Sequence, residues 1–360
     1  MRSYVKNTTG GKIMNEERKE NTLLQVSSAP HIRSHDSTQT VMLDVIIALL
    51  PLLLWGCYIF GMRALTVTLI TVFSSVIFEL LFNLITKKTI TVLDLSAVVT
   101  GLLLSYNLPH TIPFWMPVLG AFFAIVPVKM LLGGLGKNLV NPALAGRACL
   151  LLSFSSAMTV PPVLTRLDLF ESYLPGDALS GSTPLYTVLS PAEDGSSIST
   201  ELLFDMFIGN ESGTIGEVSA LLILLGFLYL LLRKVVSWHI PLSYLGTVAF
   251  ITLLFPAEGV ERFDVVYMLA HLFSGGLLLA AVFMATDYVT SPITPKGRII
   301  FGIGCGLLTV IVRYCAGNEG ASYAVLTMNL LVYFIDKITV PRPFGAALPK
   351  LKIKKESKPQ

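Results

Sequence analysis

Four small residues in a polar loop are the first candidates for covalent chemistry. Ser180, Gly181, Ser182 and Thr183 lie between strongly apolar stretches, and the following Pro184 restricts Thr183 to an extended conformation. Hydroxyl groups on such a backbone are accessible to an enzyme that attaches another group. Because Ser, Gly, Thr and Pro occur in most loops, an ordinary loop is the alternative, and spacing alone favours it.

Ionisable side chains in or beside apolar stretches form a second group of candidates. Four fall within predicted membrane helices (Glu79, Lys129, Arg147 and His271) and four near helix ends (Asp44, Asp94, Asp287 and Asp336). Charges in lipid are costly, so each one calls for a functional hypothesis. We expect Glu79 to serve a cation path whose mouths are lined by Asp94 and Asp287.

A structural role is the alternative for the same residues. Lys129 or Arg147 would then neutralise a carboxylate inside the helix bundle, and aspartates near helix ends would cap those helices. This alternative is favoured for Glu79, and more strongly for Asp44 and Asp336.

Two further patterns predict no site. Gly133–Lys137 superficially resembles a phosphate-binding loop, but it lacks the GxxxxGK[ST] spacing and no strand precedes it, so we predict a helix end and a tight turn. The five histidines are dispersed, and no metal site is predicted from them.

The composition defines the class of protein that must position these residues. Of the 360 residues, 53% are apolar and only 14% are charged, and the mean hydropathy is +0.70. Soluble domains carry roughly 25% charged residues, so we predict an all-α integral membrane protein. Because the basic residues lie at helix ends and in the tails, the net charge of +3 does not indicate nucleic-acid binding.

Hydropathy predicts about ten transmembrane helices, each needing about 20 apolar residues. Their approximate ranges are 41–60, 64–86, 93–108, 114–134, 139–158, 216–232, 236–255, 263–285, 298–315 and 321–337. The third and the last are short and flanked by Gly or Pro, so one of them is expected to be broken or tilted. The domain limits follow: an N-terminal segment 1–40, a membrane domain 41–337 with a loop 159–214, and a basic tail 338–360.

Charge asymmetry predicts the orientation. Lys and Arg concentrate in alternate short connections and in both tails, as at Lys87, Lys137 and Lys234, which places both termini in the cytoplasm. The loop 159–214 is acidic and nearly free of Lys and Arg, so we expect it, with Thr183, on the outer face of the membrane.

A faint internal repeat relates the two halves of the chain. Gly101–Leu104 precedes a Gly-rich helix, and so does Gly276–Leu279. With five helices in each half, the halves would be inverted repeats, as in many transporters with a site near the membrane midplane. Chance similarity among apolar segments is the alternative.

Long motifs spread from about residue 28 to 346 resemble one protein family. They are Ser28–Ile32, Val41–Pro51, Gly133–Asn138, Asn141–Arg147, Phe283–Pro292, Asn329 and Pro341–Gly345. In this order they resemble the D subunits of Rnf ion-translocating electron-transport complexes. The related B subunit of the sodium-pumping NADH:quinone oxidoreductase is the alternative, but it usually has a longer N-terminal extension.

The resemblance implies a cofactor and a role for Ser180–Thr183, which we call the hydroxyl loop. In both families an outer loop carries a Ser-Gly-Ala-Thr type motif whose Thr is joined to FMN through a phosphoester, and the matching residue is Thr183. This chain has Ser182 where Ala is usual, so a second hydroxyl lies beside the expected acceptor. A second, non-covalent flavin, riboflavin, is also implied. Lys129 and Arg147 are candidates to neutralise flavin phosphate or reduced flavin.

The expected function follows from the same resemblance. The chain would be an electron-carrying subunit of a translocase that couples ferredoxin:NAD⁺ electron transfer to Na⁺ or H⁺ movement. A channel or secondary transporter, or a passive scaffold, is the alternative. Without a nucleotide-binding motif or a cysteine cluster, the chain is not expected to catalyse alone. Its expected partners are other Rnf subunits, including a second flavoprotein and iron–sulfur subunits, and a flavin transferase for maturation.

Overall fold

A computed structural model describes residues 37–159, 185, 188, 200–210, 213–217, 219–257, 260, 262–317 and 319–341. All regular secondary structure in these residues is helical. The helices are α1 (Thr38–Phe60), α2 (Met62–Ile85), α3 (Ser96–Tyr106), α4 (Trp115–Phe123), α5 (Pro142–Ser153), α6 (Ser155–Met158), α7 (Thr200–Ile208), α8 (Ala220–Leu232), α9 (His239–Leu254), α10 (Val265–Phe273), α11 (Leu277–Leu279), α12 (Pro295–Ala316) and α13 (Ala321–Thr339). A 3₁₀ turn covers Val92–Asp94, and π-helices Ala124–Met130 and Ala280–Met284 extend α4 and α11.

The described apolar helices match the ten predicted segments in order but differ in length. Four helices, α1, α2, α12 and α13, have 19 to 24 residues and suit a membrane crossing. Five segments are shorter apolar helices, and α10 with α11 forms a pair bent by 67°. At 1.5 Å per residue, the 11 residues of α3 cover about 17 Å, roughly half of a bilayer core.

One of the third and the last spans was expected to be broken or tilted, and the third is interrupted at Leu95, which has a left-handed φ of 59° between the 3₁₀ turn and α3. Helix α13 runs unbroken through 19 residues. A second break, which was not predicted, lies in the eighth predicted span, where Gly275 has a φ of 65° that most residues avoid and Ser274 is extended. The Ser-Gly-Gly sequence at 274–276 is the local signal for this break.

Two short segments, α3 and α11 with its π-helix, occupy the centre of the bundle, and long helices such as α1 and α2 lie at its surface. Nearly all of α3 and all of α11 with its π-helix are buried, whereas α1 and α2 expose apolar side chains such as Leu54 (70%) and Phe73 (63%). Such an apolar surface is expected where a helix meets lipid. The central helices therefore end inside the bundle, and their ends bring polar groups together there.

Both π-helices adjoin residues that sequence analysis had selected. The first contains Lys129, and the second ends three residues before Asp287. Extra residues within a helical turn often mark functional positions, because they redirect side chains into the bundle.

Several predicted boundaries lie partly outside the described residues. Residues 1–36 and most of the tail 338–360 belong to this group, so these limits stay predictions. The loop 159–214 contains the helix α7, and Thr183 itself lies outside the described residues. The inverted repeat also stays a prediction, although Gly101 and Gly276 both belong to the short central segments.

Candidate functional site

The chain segment that follows Thr183 contacts the break between α10 and α11. The Leu185 side chain lies 3.4 Å from the position that a Cβ on Gly275 would occupy. Val188 is fully buried and packs with Met206 of α7 and Tyr267 of α10. These are the residues nearest to Thr183 in sequence that the structure describes, and they connect the hydroxyl loop to the bundle centre.

Arg147 of α5 forms a buried ion pair beside this break. Its guanidinium donates to both carboxylate oxygens of Glu319, with Nη1 to Oε1 at 3.0 Å, and it also donates to the Ser322 hydroxyl. Nη1 donates to Asn107 Oδ1 at 3.0 Å as well. The prediction that Arg147 pairs with a carboxylate inside the bundle is confirmed, and the partner lies 172 residues away in sequence.

A second carboxylate, Glu217, faces the same point. A Cβ added at Gly276 would overlap Oε1 of Glu319 and would lie 2.7 Å from Oε1 of Glu217. That oxygen of Glu217 is buried and has no hydrogen-bond partner among the described residues. Gly276 therefore leaves the space in which the two carboxylates approach each other.

Arg313 closes the cluster from α12. It is 1% exposed, and its guanidinium donates to three backbone carbonyls, those of Glu319 (3.1 Å), His271 (2.6 Å) and Ser274 (2.9 Å). The last two are carbonyls left unpaired where α10 ends. The guanidinium of Arg313 thus supplies hydrogen bonds to carbonyl groups that the break leaves without partners in the helix.

We call Arg147, Glu217, Glu319 and Arg313 the break cluster. When all four side chains are ionised, the net charge of the cluster is zero. Uptake of a proton, or the approach of a negative charge, would therefore change the electrostatic balance of the cluster. Sequence analysis did not select Glu217 or Glu319 as functional residues. The available signal was the pairing of each with a glycine between apolar segments, at Gly216-Glu217 and Glu319-Gly320.

Glu79 lies in a separate cluster. Its Oε2 accepts from Lys129 Nζ at 2.7 Å, and both side chains are 1% exposed. Lys129 also donates to Ser96 Oγ at 2.7 Å, and Thr91 donates to Glu79 Oε1 at 2.6 Å. The prediction of a buried partner for Lys129 is therefore confirmed, and a role for Glu79 in ion movement stays a prediction.

A small apolar cavity adjoins the Glu79 cluster. Its polar lining residues include Lys129, Ser96, Asp287 and Asn138. The remaining wall is largely aliphatic, with Val99, Leu103, Leu230, Val282 and Phe283 among its side chains. The cavity therefore brings Asp287 to the same space as Lys129, the partner of Glu79.

Two polar side chains make this cavity a candidate binding site. Asn138 Oδ1 is buried and has no hydrogen-bond partner among the described residues. Asp287 accepts from the Thr290 hydroxyl at 3.1 Å, and burial raises the pKa of its carboxyl above the ordinary value. An apolar slot with a few placed polar groups is the usual form of a small-molecule site.

Two aspartates contact distant parts of the chain. Asp44 pairs with Arg233 at 3.1 Å, and Asp336 accepts from the backbone N–H of Ile293, just before α12. The structural alternative is thus supported for both, but through these long-range contacts, so the expected capping role was wrong. Asp94 lies half-buried in the 3₁₀ turn, and its carboxylate interacts electrostatically with Lys129.

The tight turn predicted at Gly133–Lys137 is confirmed. Gly133, Gly134 and Gly136 all have positive φ, and the first two close a turn on the carbonyls of Met130 and Lys129. Within the described ranges, no group of three or more His, Cys, Asp or Glu side chains is arranged to hold a metal ion.

Comparison with known proteins identifies the family over most of the chain. Residues 25–345 match the profile described as the NQR2, RnfD, RnfE family. The chain is 46% identical over 339 residues, covering 93% of this chain and 98% of the relative, to the D subunit of the Na⁺-translocating ferredoxin:NAD⁺ oxidoreductase complex of Acetobacterium woodii. It is 39% identical to the D subunit of the proton-translocating ferredoxin:NAD⁺ oxidoreductase complex of Clostridium ljungdahlii, covering 92% of this chain and 99% of the relative. Identity to the D subunit of the ion-translocating oxidoreductase complex of Stutzerimonas stutzeri is 40%, over 86% of this chain and 92% of the relative.

Proposed function

Because the chain belongs to the NQR2, RnfD, RnfE family, we propose that it is the D-type membrane subunit of an ion-translocating ferredoxin:NAD⁺ oxidoreductase complex. The observation that carries this proposal is similarity at 46% identity over 98% of a relative with that name. The buried charges are also those expected of a subunit that handles charge within a membrane. The catalysis belongs to the assembled complex.

We propose that Thr183 carries FMN through a phosphoester. The support is the family motif in the sequence and the contact of Leu185, two residues later, with the break between α10 and α11. When bound, the flavin supplies one- and two-electron chemistry. The chain would anchor the following segment through Leu185 and Val188 and would present the charges of the break cluster beside it. The alternative acceptor is Ser182.

We propose that a second, non-covalent flavin binds at the apolar cavity, whose walls would part to admit it. A flat ring system needs an apolar slot with hydrogen-bonding groups at one edge, and Asn138 Oδ1 offers a free acceptor for a ring N–H. Lys129 and Asp287 would set the charge at opposite parts of the wall. Replacing Asn138 with Ala should lower the flavin released on denaturation, whereas Asn210→Ala, the same change away from the cavity, should leave it unchanged. Equal flavin release from both variants would contradict this site.

We retain Glu79, Asp94 and Asp287 as candidates for an ion path. Support comes from the cavity, which Asp287 lines together with the partner of Glu79. Na⁺ and H⁺ transport by the complex should fall in Glu79→Gln and Asp287→Asn. Unchanged pumping of both ions in both variants would remove these residues from the path.

Flavin fluorescence on a denaturing gel tests the covalent cofactor. The band of the full chain should fluoresce when a flavin transferase is present, should lose its fluorescence in Thr183→Ala and should keep it in Ser182→Ala. A wild-type band without fluorescence, from cells that flavinylate other proteins, would contradict the proposal. Loss in Ser182→Ala with retention in Thr183→Ala would move the attachment to Ser182.

A further inference from the structure

A second cavity, which we call the basic pocket, lies where α8 turns into α9. It encloses about 810 Å³, counted to its open mouth. Its lining contains two cations, Lys234 and Arg298, and the hydroxyl residues Ser237, Thr286 and Ser291. No acidic residue is among the described residues that line it. The pocket is therefore complementary to an anion that accepts several hydrogen bonds.

The two cations differ in how they are held. Arg298 Nε donates to the Pro292 carbonyl at 3.1 Å, and its Nη1 donates to Ser237 Oγ at 3.1 Å, which fixes the guanidinium plane at the pocket. Lys234 is exposed, and its backbone has a φ of 58°, a conformation that side-chain-bearing residues seldom adopt. No carboxylate of the described residues pairs with either cation.

The surroundings of the pocket are suited to lipid. Trp238 at its rim is 54% exposed, as is common for aromatic residues at a membrane–water interface. Leu232, at the end of α8, is 75% exposed, and Leu242, in the first turns of α9, is 62% exposed. The two helices that meet at the basic pocket thus also carry exposed apolar side chains.

The basic pocket adjoins the apolar cavity. Four residues, Val235, Val236, Thr286 and Tyr288, line both, and the Tyr288 hydroxyl donates to the Val235 carbonyl. The two cations, Lys234 and Arg298, line the basic pocket only, so the charge that selects an anion belongs to this pocket.

From these contacts we propose that the basic pocket binds the phosphate headgroup of an anionic phospholipid. Lys234 and Arg298 neutralise the phosphate, the hydroxyls of Ser237 and Ser291 donate to its oxygens, and the acyl chains lie along Leu232 and Leu242. Basic pockets between membrane helices commonly select such headgroups. The lipid would join α8, α9 and the start of α12 at one end of the bundle.

The test uses the full-length chain, purified in lipid-depleted detergent without phosphate. Phosphatidylglycerol, phosphatidylcholine or inorganic phosphate is titrated in, and the thermal unfolding midpoint is measured. Phosphatidylglycerol should raise the midpoint, and neither phosphatidylcholine nor inorganic phosphate should reproduce that rise. At about 1 kcal/mol for each basic residue, Lys234→Gln/Arg298→Gln should need about 30-fold more phosphatidylglycerol for half of the effect.

A matched control removes the same charge elsewhere. Lys296→Gln/Lys337→Gln neutralises two exposed lysines that do not line the pocket and should respond as the wild type does. If the double variant at the pocket does not fold, Arg298→Lys keeps the charge but loses the fixed fork and should show a several-fold weaker response. An equal effect of phosphatidylcholine, an equal effect of inorganic phosphate, or an unchanged response in the pocket variants would overturn the proposal.

Discussion

Removing the Lys129 ammonium should leave the buried carboxylate of Glu79 without a counter-ion and should lower the free energy of unfolding of the bundle. The Lys129 Nζ to Glu79 Oε2 distance is 2.7 Å and both side chains are 1% exposed. At that distance the attraction is about 6 kcal/mol for an effective dielectric constant of about 20. Much of it offsets the cost of burying the two charges, so the pair contributes little net stability. Breaking it is different, and Lys129→Met should cost about 3–5 kcal/mol.

A double-mutant cycle separates this cost from ordinary packing. Glu79→Gln strands the ammonium and should cost a similar amount, while it keeps an acceptor for the Thr91 hydroxyl. Glu79→Gln/Lys129→Met removes both charges and should lie within about 2 kcal/mol of the wild type. Ser96→Ala, which removes only a neutral acceptor of Lys129, should cost about 1–2 kcal/mol. The free energy of unfolding in mixed detergent–SDS micelles is the measured quantity.

The same cycle decides what Glu79 does. If the double variant is stable and still pumps ions, Glu79 is a structural counter-ion. If it is stable but does not pump, Glu79 belongs to the path. Two single variants whose costs simply add, with no coupling, would refute the reasoning that the charges neutralise each other.

Three further perturbations test the fold around the sites. His110 is 2% exposed, and burial, followed by the charge of the nearby Arg63, lowers its pKa to about 4. Because this pKa is below the unfolded value of about 6.5, the free energy of unfolding should be highest above pH 6.5 and should fall by about 3 kcal/mol towards pH 4. Unfolding measured at both pH values should show this loss in the wild type and not in His110→Leu. Gly276→Ala should cost about 1–3 kcal/mol, because its Cβ would meet the carboxylates of the break cluster, whereas Gly246→Ala, with nothing within 4 Å, should be neutral or slightly stabilising in the same detergent assay. Asn141→Ala removes the acceptor for the Ala143 N–H at the start of α5 and the donor to the Met284 carbonyl, and thermal unfolding should report a loss of about 2 kcal/mol. No pH dependence for His110, equal effects of the two glycine variants, or a silent Asn141→Ala would each contradict the respective contact.

The helical membrane architecture could be predicted because it depends on local composition. Every predicted apolar segment overlaps a helix or a helix pair in the described residues. Segment length was less predictable, since the short central helices are shielded by longer ones and need not cross the bilayer. The break at Gly275 had a local signal in its two adjacent glycines, but its angle of 67° depends on packing against Arg313 and Leu185.

The sequence could predict that buried charges are paired, but not which residue pairs with each one. A lysine at membrane depth must be neutralised, and Lys129 is, but its partner Glu79 lies 50 residues away in sequence. The break cluster joins residues that are distant in the chain, with Arg147 and Glu319 separated by 172 residues. No local pattern specifies such a contact, because it arises where the ends of several helices meet.

The mass of the peptide that contains Thr183 tests the central claim most directly. The chain is isolated from its assembled complex, digested and sequenced by fragmentation in a mass spectrometer. We predict that the wild-type peptide carries the mass of FMN less one water on Thr183, that Ser182→Ala keeps this group, and that Thr183→Ala loses it together with ferredoxin:NAD⁺ activity of the complex. A wild-type peptide of unmodified mass, from cells that contain the flavin transferase, would contradict the account.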